Sequence, residues 1–227
     1  MRKKVTISTI TANRRRFFSH TIHNVLQQSQ SDFDIEWVIV EDGEETIEDL
    51  VSGLGFVQYV RLEGKNSIGM KRNIANQHSG GDFILYFDDD NYAFPHRTSV
   101  AVNSLANSDL TMAGSSDMLI LDGGRWEVFQ VGPYSERHAT LGTWCIKREL
   151  LEYTQFCDSD MRGEEVAFTK EWSVPILQLG ALNTSISFSH NKNTVPKNDL
   201  RDPWTPCWKP EAFITCEHAL GFYRLIS

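Results

Sequence analysis

The 227-residue chain is short of paired cysteines, of long apolar runs and of positive charge, and each shortage removes a class of protein. Its four cysteines, Cys145, Cys157, Cys207 and Cys216, are scattered and form no Cys-x-x-Cys pair. That argues against a zinc centre, a dithiol redox pair and a disulfide scaffold, and leaves free thiols as the expectation. No stretch approaches 18 consecutive apolar residues, so no membrane span is expected. The basic start, Met1 to Lys4, runs through the short segment Val5–Thr11 into Arg14-Arg15-Arg16, which leaves no apolar signal-peptide core. A cytoplasmic location is the expectation. With 22 Lys+Arg against 30 Asp+Glu the net charge is −8, which argues against broad binding to nucleic acid or to an anionic membrane. Proline is also scarce, and four of the seven (Pro196, Pro203, Pro206, Pro210) crowd one segment. Residues 198–227 are therefore expected to form an irregular extension, packed on the domain formed by residues 1–197 and wrapping it or covering its site.

What is present is an ordinary folding composition, 41% hydrophobic and 23% charged. Val5–Thr11 alternates β-branched with small polar residues and reads as a strand. Phe18, Ile22, Val25 and Leu26 recur at helical spacing, giving a helix that closes near Gln28. Strands are expected at Trp37–Val40, Phe56–Val60 and Asp82–Phe87, with a helix over Ile68–Gln77. This alternation predicts an α/β fold: a mostly parallel, Rossmann-like central sheet with helices on both faces. Beyond residue 110 the rhythm changes. A hairpin turns at Asp122–Arg125, strands are expected near Thr143–Ile146, Ile176–Leu179 and Ser185–Ser189, and a helix over Glu164–Trp172.

In parallel sheets ligands bind beyond the carboxyl ends of the strands, and two acidic groups fall there: Asp42, and the run Asp88-Asp89-Asp90. Adjacent carboxylates repel unless a cation compensates them, and all-oxygen ligation suits Mg²⁺ or Mn²⁺ with substrate phosphates completing the shell. Alternate residues share a face, so Asp88 and Asp90 can converge while Asp89 faces elsewhere. An Asp-x-Asp alone is a weak signal; its place beside the Asp42 strand end strengthens it.

Several segments together resemble family 2-like glycosyltransferases of the GT-A fold. They are Val5–Thr11 with Asn13-Arg14, Trp37–Gly43, Gly69–Asn73, Gly81–Asp90, Gly132–Tyr134, His138–Thr143, Glu164-Glu165 and Ser189–Thr194. In its second half the chain looks closest to the small glycosyltransferase domain at the start of a multidomain chlorella-virus protein, which would place it in a host cytoplasm. The resemblance implies a nucleotide-sugar donor, a UDP-sugar first, and a hydroxyl of a glycan or other acceptor. It implies that Asp42 accepts from the uracil imide, and that Thr9 and Thr11 flank the base. Asp88 would reach the ribose or the metal, Asp90 would ligate Mn²⁺ or Mg²⁺ directly, His190 would close on the metal or diphosphate, and Asp89 would join the donor-binding set. Lys71 and Arg72 open a helix where they can neutralise a departing diphosphate. The acidic pair implies an acceptor-deprotonating base, Glu165 first and Glu164 second; in a retaining reaction the same carboxylate would stabilise the cationic sugar. Two alternatives remain: a sugar-phosphate nucleotidyltransferase, which usually carries a glycine-rich loop where Thr11–Arg14 has no glycine, and a non-catalytic nucleotide-sugar-binding module. The oligomeric state has no signature in the sequence.

Overall fold

Nine residues of alternating pattern form the first strand, β1 (Lys3–Thr11), and the chain then follows the expected rhythm. The computed structural model describes residues 2–28, 33–190, 193, 197, 200–202 and 204–227. Asn191, Lys192 and Thr194 of the late motif, and Pro196, Asn198, Asp199 and Pro203 near the tail, lie outside the described residues. After β1 come α1 (Arg15–Leu26), β2 (Phe33–Glu41), α2 (Glu48–Val51), β3 (Val57–Arg61), α3 (Ile68–His78), β4 (Phe83–Tyr86), β5 (Tyr92–Ala93) and α4 (Arg97–Ala106). The second half adds β6 (Met112–Gly114), β7 (Met118–Asp122), β8 (Glu127–Val131), β9 (Cys145–Lys147), α5 (Glu165–Phe168), β10 (Leu177–Gln178), β11 (Ser185–Ser189), β12 (Cys207–Trp208) and α6 (Glu217–Ile226).

Seven strands form the main sheet in the order β10-β6-β9-β4-β1-β2-β3, and only β9 runs antiparallel to its neighbours. The register aligns the carboxyl ends that matter: β1 pairs with β2 from Lys3↔Phe33 to Thr11↔Glu41, and with β4 from Val5↔Phe83 to Ser8↔Tyr86. Asp42 and Asp88 therefore leave the sheet along one edge. Val5, Ile7, Phe18, Trp37, Ile39 and Leu85 pack one core, in which Phe18 stacks on Trp37 with centroids 6.0 Å apart. A second core lies between β4, β6 and β9 and the later loops, around Tyr86, Trp144, Phe156 and Phe168. Each such buried side chain contributes about 1.5–3 kcal/mol relative to exposure. A smaller five-stranded sheet, β12-β8-β7-β11-β5, is mixed, since β11 and β7 run parallel.

Two elements differ from the sequence expectation. The helix expected over Glu164–Trp172 ends at Phe168. The Thr169 hydroxyl donates to Glu165 O at 2.7 Å and accepts from Trp172 N at 3.1 Å, capturing a backbone group that a continuing helix would need. The tail is more regular than its prolines suggested, because the described residues beyond Pro210 include the ten-residue α6. Ala219 and Tyr223, four residues apart, bury into a cluster with Phe17, Tyr92 and Phe188. No described helix is long and apolar enough to cross a membrane.

Candidate functional site

The carboxyl edge of β1, β2 and β4 carries the acidic residues singled out above, but they fall into separate groups. The turn after β1 places Asn13 at φ 54, and its side-chain Oδ1 accepts from the backbone N–H of Glu44 at 2.7 Å and of Glu45 at 3.1 Å. This locks the turn after β1 onto the turn after β2. A Cβ at Gly43 would overlap the Asn13 backbone, so only glycine fits there.

At the end of β2, Asp42 is fully engaged. Its Oδ1 accepts from Lys71 Nζ at 2.8 Å and its Oδ2 from the backbone N–H of Asn66 at 2.7 Å, with only 2% of the carboxylate side chain and 7% of the lysine exposed. Lys71 therefore compensates Asp42, whereas the sequence placed it on a diphosphate. The two threonines also face inward. Thr9 Oγ1 accepts from Trp37 Nε1 at 3.0 Å, and Thr11 Oγ1 donates to Asp89 Oδ2 at 2.6 Å, both buried. Their hydroxyls thus hydrogen-bond within the protein, whereas the resemblance had them, with the backbone around them, flanking a base.

The three aspartates after β4 separate in three directions. Asp88 accepts from Asn91 Nδ2 at 2.8 Å and from Arg72 Nη2 at 3.4 Å. Asp89 is buried, and burial together with the adjacent Asp90 charge pushes its pKa up. Asp90 Oδ2 lies 3.0 Å from His190 Nε2 and 3.7 Å from Arg14 Nη1, and accepts from Asn193 Nδ2 at 3.4 Å. Burial would raise Asp90, but the His190 hydrogen bond and the charges of Lys197 and Arg14 outweigh it and hold the carboxyl below its ordinary range. Phe17 and Phe188 pack the His190 ring at 4.8 and 5.3 Å. The backbone carbonyl of Asp90 accepts from Tyr223 of α6 at 3.3 Å, so the tail helix braces this strand end.

Among the described residues no three of His, Cys, Asp and Glu sit close enough to hold a metal ion. The expected set of Asp88, Asp90 and His190 is not assembled, because Asp88 is turned toward Arg72 and Asn91. Asp90 and His190 alone bring together a carboxylate oxygen and an imidazole nitrogen, a donor pair that fits Mn²⁺ or Mg²⁺ if phosphate oxygens fill the remaining positions.

Arg72 links the strand end to the acidic pair. Its guanidinium, in a residue 4% exposed, lies 3.4 Å from Asp88 Oδ1 and 3.9 Å from Glu164 Oε1, above the Tyr86 ring. Its Nε and Nη1 are buried and have no hydrogen-bond partner among the described residues. A buried donor left unmatched costs about 1–3 kcal/mol. Glu164 is buried; Glu165, beside it, is half-buried and has its pKa raised by burial and then by the Glu164 charge. Gly142 closes the cluster from the far side, where any Cβ would overlap the Asp88 carboxylate.

Sequence reasoning missed the roles of three residues. Arg97, fully buried beneath Asp88, donates from Nη2 to Tyr86 O at 2.7 Å and stacks 4.0 Å over Phe87, with burial lowering its pKa to about 10. Asn91 and Asn193 orient Asp88 and Asp90. The only signal for Arg97 was an arginine at the start of an apolar helix, which reads as a surface charge.

The sheet order, the strand-end acids and the mixed second sheet together define a GT-A fold. Residues 6–141 match the model for glycosyl transferase family 2, and the chain belongs to that family. No curated protein matches the chain in sequence. Among solved structures it is similar to S. aureus TarS 1-349 in complex with UDP, at TM-score 0.64 and 16% identity over 82% of this chain and 60% of that one. The same TarS fragment in complex with UDP-GlcNAc gives TM-score 0.60 and 17% identity over 84% and 60%. The mannosyltransferase PcManGT from Pyrobaculum calidifontis, in complex with GDP-Man and Mn²⁺, gives TM-score 0.61 and 15% identity over 88% and 59%. The chain thus spans about three-fifths of these neighbours, and at such identities the likeness shows the fold.

Proposed function

We propose that the chain transfers a sugar from a nucleotide-diphosphate donor, a UDP-sugar first, to a hydroxyl of a glycan or other acceptor. The observation that carries this reading is Arg72, a buried guanidinium with donors unmatched among the described residues, set between Asp88 and the Glu164-Glu165 pair. A diphosphate oxygen matches those donors and suits their charge. Family membership supports the reaction class, and neighbours of the same fold carry UDP, UDP-GlcNAc or GDP-Man.

In this reading the anomeric C–O bond to the diphosphate breaks and its electron pair stays on the departing phosphate oxygen. The acceptor oxygen bonds to the anomeric carbon, and its proton passes to Glu165. A carboxylate whose pKa is raised by burial and then by the Glu164 charge is a stronger base, which suits the role of proton acceptor. Glu164 keeps the Glu165 pKa high and orients Arg72. Asp90 and His190 would hold a divalent metal, whose Lewis acidity neutralises the leaving diphosphate. Arg14 sits 3.7 Å from Asp90, where it offsets that carboxylate's charge. Asp42 and Asn66 line the end of β2, where the base would lie, with Lys71 setting the carboxylate's direction. Thr9, Thr11 and Asp89 support this floor from beneath. The likeness to a chlorella-virus glycosyltransferase domain, a cytoplasmic location and the division into a 1–197 domain with a 198–227 extension belong to the same proposal.

A thermal-shift screen of UDP, GDP and CDP, each with and without Mn²⁺, tests donor class and metal together. A metal-dependent rise in melting temperature with UDP alone is the expected result, followed by UDP release from one UDP-sugar. Tight UDP binding without turnover would point to a binding module. Formation of UDP-sugar from UTP and a sugar phosphate would point to a nucleotidyltransferase.

A further inference from the structure

Beyond the donor crevice, a groove of about 390 Å³ opens between the loop that follows β8 and the segment that follows α5. Glu136 and Arg137 form one wall; Trp172, Val174 and Ile176 form the other, with Gln178 between them. We propose that this groove receives a saccharide of the acceptor, with Trp172 as its platform. The proposal rests on the glycosyl-transfer reading and adds to it the class and place of the second substrate.

Both walls are tethered to the reacting end of the molecule. Arg137 lies five residues before Gly142, which abuts Asp88. Trp172 lies seven residues after Glu165 and is joined to it by two hydrogen-bonded steps, Thr169 N to Glu165 O at 2.9 Å and Trp172 N to Thr169 Oγ1 at 3.1 Å. The groove thus lies between the segment that leads from the candidate base Glu165 and the segment that leads to Gly142 beside Asp88.

The backbone there is held in an unusual form. Lys170, Glu171 and Trp172 have φ of 50°, 57° and 62°, three consecutive side-chain-bearing residues in the left-handed region. L-residues adopt it only where surrounding structure enforces it, and such strain gathers at functional sites. Here the enforcing bonds are Glu171 N to Val166 O at 2.9 Å, Ser173 N to Thr169 O at 3.0 Å and Val174 N to Thr169 O at 3.1 Å. They set the half-buried Trp172 against the His138 ring, centroids 4.7 Å apart.

The lining suits a sugar. An indole face matches the apolar C–H face of a pyranose, and the exposed Glu136 and Arg137 supply an acceptor and a planar donor for its hydroxyls. Gln178 fixes the wall: its Nε2 donates to Glu136 O and His138 O, both at 2.9 Å, and its Oε1 accepts from Ser116 N at 3.0 Å. Preformed geometry of this kind lowers the ordering cost of binding.

The test uses the whole chain, Mn²⁺ and UDP-GlcNAc, UDP-glucose or UDP-galactose, whichever is hydrolysed, with chitotriose, cellotriose, maltotriose and mannotriose as acceptor probes. UDP release is followed against saccharide concentration. Saturable stimulation by at least one probe is expected. Its KM should rise at least tenfold in Trp172→Ala and in the surface double variant Glu136→Gln/Arg137→Ala, while Trp172→Phe restores it to within about threefold and the donor KM moves less than twofold. Saccharide KM values unchanged in both variants would overturn the subsite, as would an enzyme that hydrolyses a donor yet is stimulated by none of the probes. Absence of any donor turnover would overturn the glycosyl-transfer reading itself, and the subsite with it.

Discussion

The ends of β2 and β4 lie on the same edge of one sheet and each presents buried carboxylate, yet they are completed differently. At β2, Asp42 is matched on both oxygens by Lys71 and Asn66 N, and nothing in that pair is left over. At β4, Arg72 faces Asp88 and Glu164 at the looser distances of 3.4 and 3.9 Å and keeps two buried donors unmatched among the described residues. Adjacent cations on one helix, Lys71 and Arg72, thus serve opposite ends. In the proposed function the matched pair fixes the Asp42 carboxylate at the end of β2, where the base would lie, whereas the unmatched one is left for a ligand that brings its own oxygens.

Separating these roles by substitution should give the largest effects. Lys71→Met strands a buried carboxylate, and losing one partner of a buried pair typically costs about 3–5 kcal/mol; chemical denaturation should show a lowered midpoint at constant slope. Arg72→Met should instead lower kcat for UDP release by roughly 100-fold, the usual cost of removing one preorganised donor to a developing anion. If Lys71→Met lost turnover without losing stability, the contrast between the two ends would be reversed.

Acidification probes a third region. His20 packs among His23, His218, Tyr92, Phe222 and Tyr223, with both ring nitrogens lacking a partner among the described residues. Burial, then the neighbouring histidines, lowers its pKa to about 3. The unfolded chain therefore binds the extra proton between about pH 6.5 and 3, so stability present above pH 6.5 is lost as pH falls through that window, by at most about 1.4 kcal/mol per pH unit. His20→Phe should flatten the melting-temperature profile over the same range. The smallest expected effect concerns Glu164→Gln. Removing that charge lowers the Glu165 pKa, so the acid limb of the kcat/KM profile should move to lower pH.

Much of this organisation was legible in the sequence, because the first half obeys local rules. Apolar strand runs such as Trp37–Val40, the helical spacing of α1 and the acids at strand ends are all short-range patterns. What could not be read was orientation and pairing. That Lys71 turns to Asp42 while Arg72 turns to Asp88 depends on the helix's rotation against the sheet, and Thr9 looks like a crevice residue until Trp37 Nε1 is seen to take its hydroxyl. The premature end of α5 is decided by a threonine hydroxyl, and α6 was masked by the prolines before it. The meeting of Asp90 with His190, 100 residues apart, and the turning of Asp88 away toward Arg72 are both tertiary.

The most direct test of the central claim compares the two strand ends in one assay, UDP release from a UDP-sugar with Mn²⁺, using Asp90→Asn and Asp42→Asn. A chemical role at β4 predicts that Asp90→Asn lowers kcat by roughly 100-fold or more, whereas Asp42→Asn acts mainly on donor KM and leaves kcat within about tenfold. Equal kcat losses in both, or a near-normal kcat in Asp90→Asn, would contradict it.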